Sequence, residues 1–136
     1  MNKDTYMVVD NNKYTIEGIN IKKIECRAYD GVFEGAAACI TFEQDGETRY
    51  FINNSFVTGG MPLDEYALTD DNRIFDFYTK DEGDITDEIW DTLDKYRRKC
   101  FIPKNKVEEE LTNLSKQLVK EMCEKADIYL DPEFAD

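Results

Sequence analysis

The chain has 136 residues, of which 41% are hydrophobic and 12% aromatic, and it carries a net charge of −13 with no histidine. This length predicts one domain spanning 1–136, and the aromatic content excludes a disordered acidic chain. The absence of histidine excludes Ser-His and Cys-His catalytic pairs as well as HExxH zinc sites. A negative field also repels nucleic-acid phosphates and anionic lipids, so we expect neither direct nucleic-acid binding nor membrane binding.

The apolar segments and the cysteines favour a soluble, cytoplasmic protein. No segment approaches the ~20 apolar residues that span a bilayer, and Met1–Asp10 lacks the apolar stretch of a signal peptide. Cys26, Cys39, Cys100 and Cys123 form no CxxC pair. We therefore expect buried, reduced thiols rather than a metal site, with a Cys26–Cys39 disulfide left open.

Strand signals open the chain. Thr5–Val9 is rich in β-formers, Asp10–Asn12 indicates a turn, and Lys13–Glu17 again carries β-formers. The apolar residues that follow alternate, but the alternation slips by one residue at Lys22–Lys23. This slip predicts a β-bulge inside a long strand.

A hairpin is predicted in the middle of the first half. Small and large apolar residues alternate from Ala36 and Ala38 to Phe42, and the small ones would let a helix approach the sheet closely. Asp45-Gly46 then separates this run from a second one at Thr48–Asn53. Asp-Gly between two alternating runs is typical of a two-residue hairpin turn.

Asparagine, glycine and proline residues predict a long connection over Asn53–Asn72. Asp64–Leu68 is left open as a short helical turn inside it. Ile74–Thr79 is predicted to form one more strand.

The second half has a helical period. Ile85–Cys100 carries apolar residues near every 3.6 positions, with Asp84 as a candidate N-cap. A second helix is predicted to begin at Asn105 as N-cap, with Glu108 completing a capping box. Its apolar stripe comprises Val107, Leu111, Leu114, Leu118 and Met122. The predicted fold is α+β, with five to six antiparallel strands packed against a C-terminal helical hairpin.

Residues 58–94, here called the acidic segment, hold most of the charge: twelve acidic and two basic residues, a net −10. One interpretation is a solvated face whose helical part is stabilised by the helix dipole. The other is a surface that attracts a basic partner and repels wrong ones, with aromatic side chains as anchors. Under the second interpretation the candidate partner-binding residues are Asp64, Glu65, Tyr66, Asp70, Asp71, Tyr78, Asp81, Glu82 and Trp90.

Metal and phosphate sites find weaker support. The acidic residues around Gly83 resemble part of a calcium loop, but Tyr78 occupies the position where an EF-hand needs an acid. Six basic residues between Lys95 and Lys106 could face a phosphate, although compensation of the helix dipole and local pairing also explain them. We expect no cofactor, no metal and no catalytic residue.

The leading hypothesis is therefore a non-enzymatic acidic binding protein that engages a basic protein. It would act as an inhibitor or immunity-type protein against a toxin nuclease, or as a nucleic-acid mimic. The alternatives are a self-associating accessory domain and, third, a carboxylate-based Mg²⁺-dependent hydrolase. The sequence leaves the oligomeric state undetermined.

Overall fold

The computed structural model describes residues 5–30, 34–56, 66–69, 75, 87–88, 91 and 105–128. Its strands are β1 (Thr5–Val9), β2 (Asn20–Asp30), β3 (Glu34–Gln44), β4 (Glu47–Phe56) and β5 (Tyr66–Thr69). All neighbouring pairs are antiparallel, and the strands lie side by side in chain order. Helix α1 (Lys106–Ala126) packs against one face of this sheet. The α+β class is therefore confirmed.

The local signals of the first strands are confirmed. β1 has the predicted bounds, and the β2–β3 register shifts between Ile21 and Lys23, where the alternation slips. The turn at Asp45-Gly46 joins β3 to β4, and both residues have positive φ, of 52° and 81°. Positive φ at both central positions is what a type I′ hairpin needs, and Gly46 meets it without steric cost.

The core lies between the sheet and α1. Ala36, Ala38 and Ile40 of β3 are fully buried there, together with Leu111 and Leu118 of the helix. The small alanine side chains let the helix lie close to the strand, as the alternation predicted. Burying each large aliphatic side chain contributes about 1.5–3 kcal/mol, so this contact stabilises the described part substantially.

The start of α1 follows its sequence signal. Asn105 is the N-cap, and its Oδ1 accepts a hydrogen bond from the Glu108 backbone N–H at 2.9 Å. Asp127 ends the helix in the left-handed conformation, and its N–H donates back to the last turn. The predicted partner helix over Ile85–Cys100 lies outside the described residues except for Asp87, Glu88 and Asp91, which have helical backbone.

Two sequence predictions are wrong. Lys13–Glu17 forms no strand: a 3-10 turn spans Asn11–Lys13, and Ile16 is buried in the core from irregular backbone. The connection predicted over Asn53–Asn72 is interrupted, because β4 continues to Phe56 and β5 follows. Within Asp64–Leu68, where a helical turn was left open, the described residues Tyr66–Leu68 belong instead to β5, which pairs with β4.

The strand predicted over Ile74–Thr79 lies outside the described residues at five of its six positions and is contradicted at the sixth. Phe75, the one described residue of that range, has helical backbone and is fully buried. Aromatic residues two positions apart suggested strand alternation. Phe75 is buried from a helical backbone instead. A short apolar run does not distinguish the two-residue period of a strand from the 3.6-residue period of a helix.

Candidate functional site

The described part of the acidic segment exposes carboxylates. Asp87, Glu88 and Asp91 are exposed on helical backbone. On a helix, positions 87 and 91 share a face, where two like charges destabilise by about 0.2–0.5 kcal/mol. A basic partner that binds these carboxylates would remove the repulsion between them.

The residues predicted to bind the partner fall mostly elsewhere. Of them, Tyr66 alone is described: it begins β5 and is the register partner of Asn53 in β4. Asp64, Glu65, Asp70, Asp71, Tyr78, Asp81, Glu82 and Trp90 lie outside the described residues. For those eight positions, the sequence alone supports a place in the partner-binding surface.

The structure reveals a charged cluster that the sequence analysis missed. Tyr6 of β1 and Lys23, Glu25 and Arg27 of β2 occupy one face of the sheet, because side chains alternate along β2 and Tyr6 is the register partner of Arg27. The Tyr6 hydroxyl donates to Glu25 Oε2 at 2.8 Å, and Lys23 Nζ lies 3.3 Å from the same oxygen. This face is opposite to the one that packs on α1.

Glu25 is the centre of this cluster. It is 6% exposed, a degree of burial that an acidic residue tolerates only when it is paired. Burial and the hydrogen bond to Glu25 raise the pKa of the Tyr6 phenol above its ordinary value. The charge of Glu25 likewise raises the pKa of Lys23. Both neighbours therefore keep their protons at neutral pH and can donate hydrogen bonds to Glu25.

Arg27 connects this cluster to the acidic segment. Its guanidinium carbon lies 4.1 Å from the Tyr6 ring centroid and 5.8 Å from the ring centroid of Phe75, which belongs to the acidic segment. Arg27 Nε is buried without a hydrogen-bond partner. The stacking on Tyr6 therefore offsets part of the cost of desolvating the guanidinium. The sequence signal was the interleaving of Lys23, Glu25 and Arg27 with apolar residues of β2.

The described cysteines are packing residues. Cys26, Cys39 and Cys123 are buried, reduced thiols, as expected, and no Cys26–Cys39 disulfide forms. Burial raises the pKa of Cys26 and of Cys123 to about 12, so neither supplies a thiolate at neutral pH. Within 5–30, 34–56, 105–128 and the few described residues between them, no three histidine, cysteine or acidic residues are placed to hold a metal ion.

One groove in the described part is lined by none of the candidate site residues. Its volume is about 350 Å³, and it separates α1 from the irregular segment after β1. Its lining comprises Lys13, Tyr14, Thr15, Ile16, Glu110, Asn113, Leu114 and Gln117. One lysine and one glutamate do not provide the convergent groups of a catalytic pocket.

Comparison of the chain with protein-family models, curated proteins and solved structures finds no match in any of the three. Among the helical residues described, none belongs to a helix with the length and apolar character needed to cross a membrane.

Proposed function

We propose that this chain is a non-enzymatic binding protein whose acidic segment engages a basic protein. The observation that carries the proposal is the net charge of −10 within residues 58–94. Exposure of Asp87, Glu88 and Asp91 supports it, because exposed charges of one sign raise the rate of encounter with an opposite partner. An inhibitor or immunity-type protein that neutralises a toxin nuclease fits this charge, as does a nucleic-acid mimic in a cationic groove.

Two further features belong to the proposal. The helical backbone at Asp87, Glu88 and Asp91 supports a second helix over Ile85–Cys100 that forms a hairpin with α1. The three buried, reduced thiols of the described part fit a reducing compartment such as the cytoplasm. In that arrangement the acidic segment would present its charges beside the five described strands.

The test compares two triple variants that remove the same charge from different surfaces. The first is Asp87→Asn, Glu88→Gln and Asp91→Asn. The control is Glu17→Gln, Glu47→Gln and Glu124→Gln, which are also exposed but lie outside the acidic segment. A partner is first isolated from the native host at low salt, and its association rate with each variant is then measured by surface plasmon resonance.

We expect the first variant to slow association by about tenfold at low salt and the control to change it by less than about twofold. Dissociation should change less, since charges at a rim act mainly on encounter. Added salt should reduce the rate for the wild type and remove its advantage over the first variant. Equal effects of the two triple variants would refute the acidic segment as the binding surface, as would a rate that salt does not change.

A further inference from the structure

The edge strand β1 has an unusual surface for so charged a chain. In the described ranges β1 pairs with β2 alone, so its other side is an edge of the sheet. Tyr6 is 41% exposed and Val8 57% exposed, which makes them the large apolar side chains most open to solvent in the described part. Both point to the face that carries Glu25 and Arg27.

The edge also lacks the usual protection against pairing with another strand. Natural edge strands carry lysine, another charged residue, proline or a bulge. Thr5–Val9 contains no charge and no proline, although 35% of the chain is charged. Its register with β2 is continuous, without a bulge. Among the described residues β2 alone pairs with β1, so within that part of the chain the outer backbone groups of β1 can accept a further antiparallel strand.

The sequence of β1 complements itself. Two copies of β1 can pair antiparallel about a two-fold axis that passes through Met7. Tyr6 of each copy then lies opposite Val8 of the other, which gives two such cross-strand pairs. An aromatic residue opposite a β-branched residue is one of the favourable cross-strand pairs. No charge of β1 faces another across this axis, because β1 has none.

We infer that β1 is a self-association surface, where two copies of this chain pair antiparallel about Met7 and extend their sheets into one. This proposal is independent of the acidic segment. The opposing force is electrostatic: each copy carries −13, and Lys125 Nζ lies 3.8 Å from Met7 Sδ, so the axis also brings two ammonium groups near each other. Salt screens both repulsions and strengthens the dimer.

The first test measures the dimer by sedimentation equilibrium at low and high salt. Val8→Lys places a charge on the exposed face of the edge without touching the core, since Val8 is exposed. Thr48→Lys adds the same charge at an exposed strand position of β4 and is the matched control. We expect Val8→Lys to weaken dimerisation about tenfold or more through the loss of two cross-strand pairs, and Thr48→Lys to leave it unchanged.

The second test examines the register. Met7→Cys places two thiols at the two-fold axis, where directly opposed Cα atoms are about 4.5–5.5 Å apart and so within disulfide range. Mild oxidation should yield a covalent dimer of Met7→Cys, and not of Thr48→Cys or of the wild type. Circular dichroism of each variant verifies the fold.

The outcomes separate this proposal from the proposed function. Salt should strengthen the β1 dimer and weaken the complex with a basic partner, so the two properties respond oppositely to one variable. A wild type that remains monomeric at high salt up to millimolar concentration would overturn the inference. So would a dimer that Val8→Lys leaves intact and Met7→Cys fails to cross-link, because a different surface would then hold it.

Discussion

A buried polar pair between the sheet and α1 allows the sharpest test of the described core. Asn53 of β4 has no exposed surface, and its Nδ2 donates to Ser115 Oγ of α1 at 2.9 Å. Ser115 in turn donates its only hydroxyl hydrogen to the Thr112 carbonyl at 2.9 Å. Ser115 Oγ is therefore an acceptor toward Asn53, which fixes the orientation of the amide, and Asn53 Oδ1 remains buried without a partner.

Ser115→Ala removes the acceptor and leaves the Asn53 amide buried without its hydrogen bond. An unsatisfied buried donor costs about 1–3 kcal/mol, and alanine returns about 0.5 kcal/mol through its higher helix propensity. The free energy of unfolding should therefore fall by about 1–2 kcal/mol. For a chain of this length that corresponds to a Tm lower by about 4–8 °C.

Asn53→Leu removes the amide altogether, and with it the unpaired Oδ1, while keeping the same number and branching of side-chain heavy atoms. We expect stability within about 1 kcal/mol of the wild type, because no buried polar group is orphaned. In this background Ser115→Ala should cost almost nothing. The coupling free energy of the double-mutant cycle is therefore about 1–2 kcal/mol.

Urea unfolding followed by circular dichroism measures the four proteins of the cycle. Asn113→Ala, at an exposed position of α1, is the control and should change stability by about 0.5 kcal/mol or less. If Ser115→Ala costs the same in both backgrounds, the pair does not interact and the reasoning is refuted.

The remaining predictions concern the helix cap, the hairpin turn and the thiols. Asn105→Ala should destabilise by about 1 kcal/mol in urea unfolding through loss of the capping acceptor, whereas Asn105→Asp should retain stability. Gly46→Ala should cost about 1–2 kcal/mol in the same assay because φ is 81° there, while nothing within 4 Å obstructs the added Cβ. Stability should also decline as pH rises from about 9 to about 12, because unfolded chains release protons that Cys26 and Cys123 keep when folded. Urea unfolding under reducing conditions at several pH values measures this decline, and replacing both thiols by alanine should make it shallower.

Each of these predictions has a clear contrary result. Equal stability of Asn105→Ala and Asn105→Asp would show that the side-chain cap contributes nothing. A neutral Gly46→Ala would contradict the positive φ. The sign of the pH effect follows from the raised thiol pKa: the contribution is complete below about 9 and is lost as pH rises through the folded value. A stability that rises over that interval would contradict it.

Local signals account for the confirmed predictions. The Asp45-Gly46 turn, the slip at Lys22–Lys23 and the Asn105 cap each depend on a few consecutive residues. The alternation of apolar residues along β3 likewise predicted which face of that strand packs on α1. These features were predictable because short stretches of sequence determine the local backbone conformation and the side-chain periodicity.

The errors share a different origin. The Asn53–Asn54 dipeptide indicated a break in regular structure, yet both residues continue β4, and Asn53 lies in the core. Its partner Ser115 is 62 positions away in the chain. Likewise, β5 exists because β4 offers it a pairing edge, and propensity alone did not indicate it.

The sequence by itself determined the class of the fold, the turn, the helix start and the concentration of negative charge within residues 58–94. The tertiary structure alone decided where polar side chains are buried. Only the register of β1 on β2 brings Tyr6 over Arg27 and against Glu25, and only the packing of α1 gives Asn53 a partner. The physical reason is that a local pattern sets the conformation of its own residues, whereas burying a polar group requires a partner that distant parts of the chain supply.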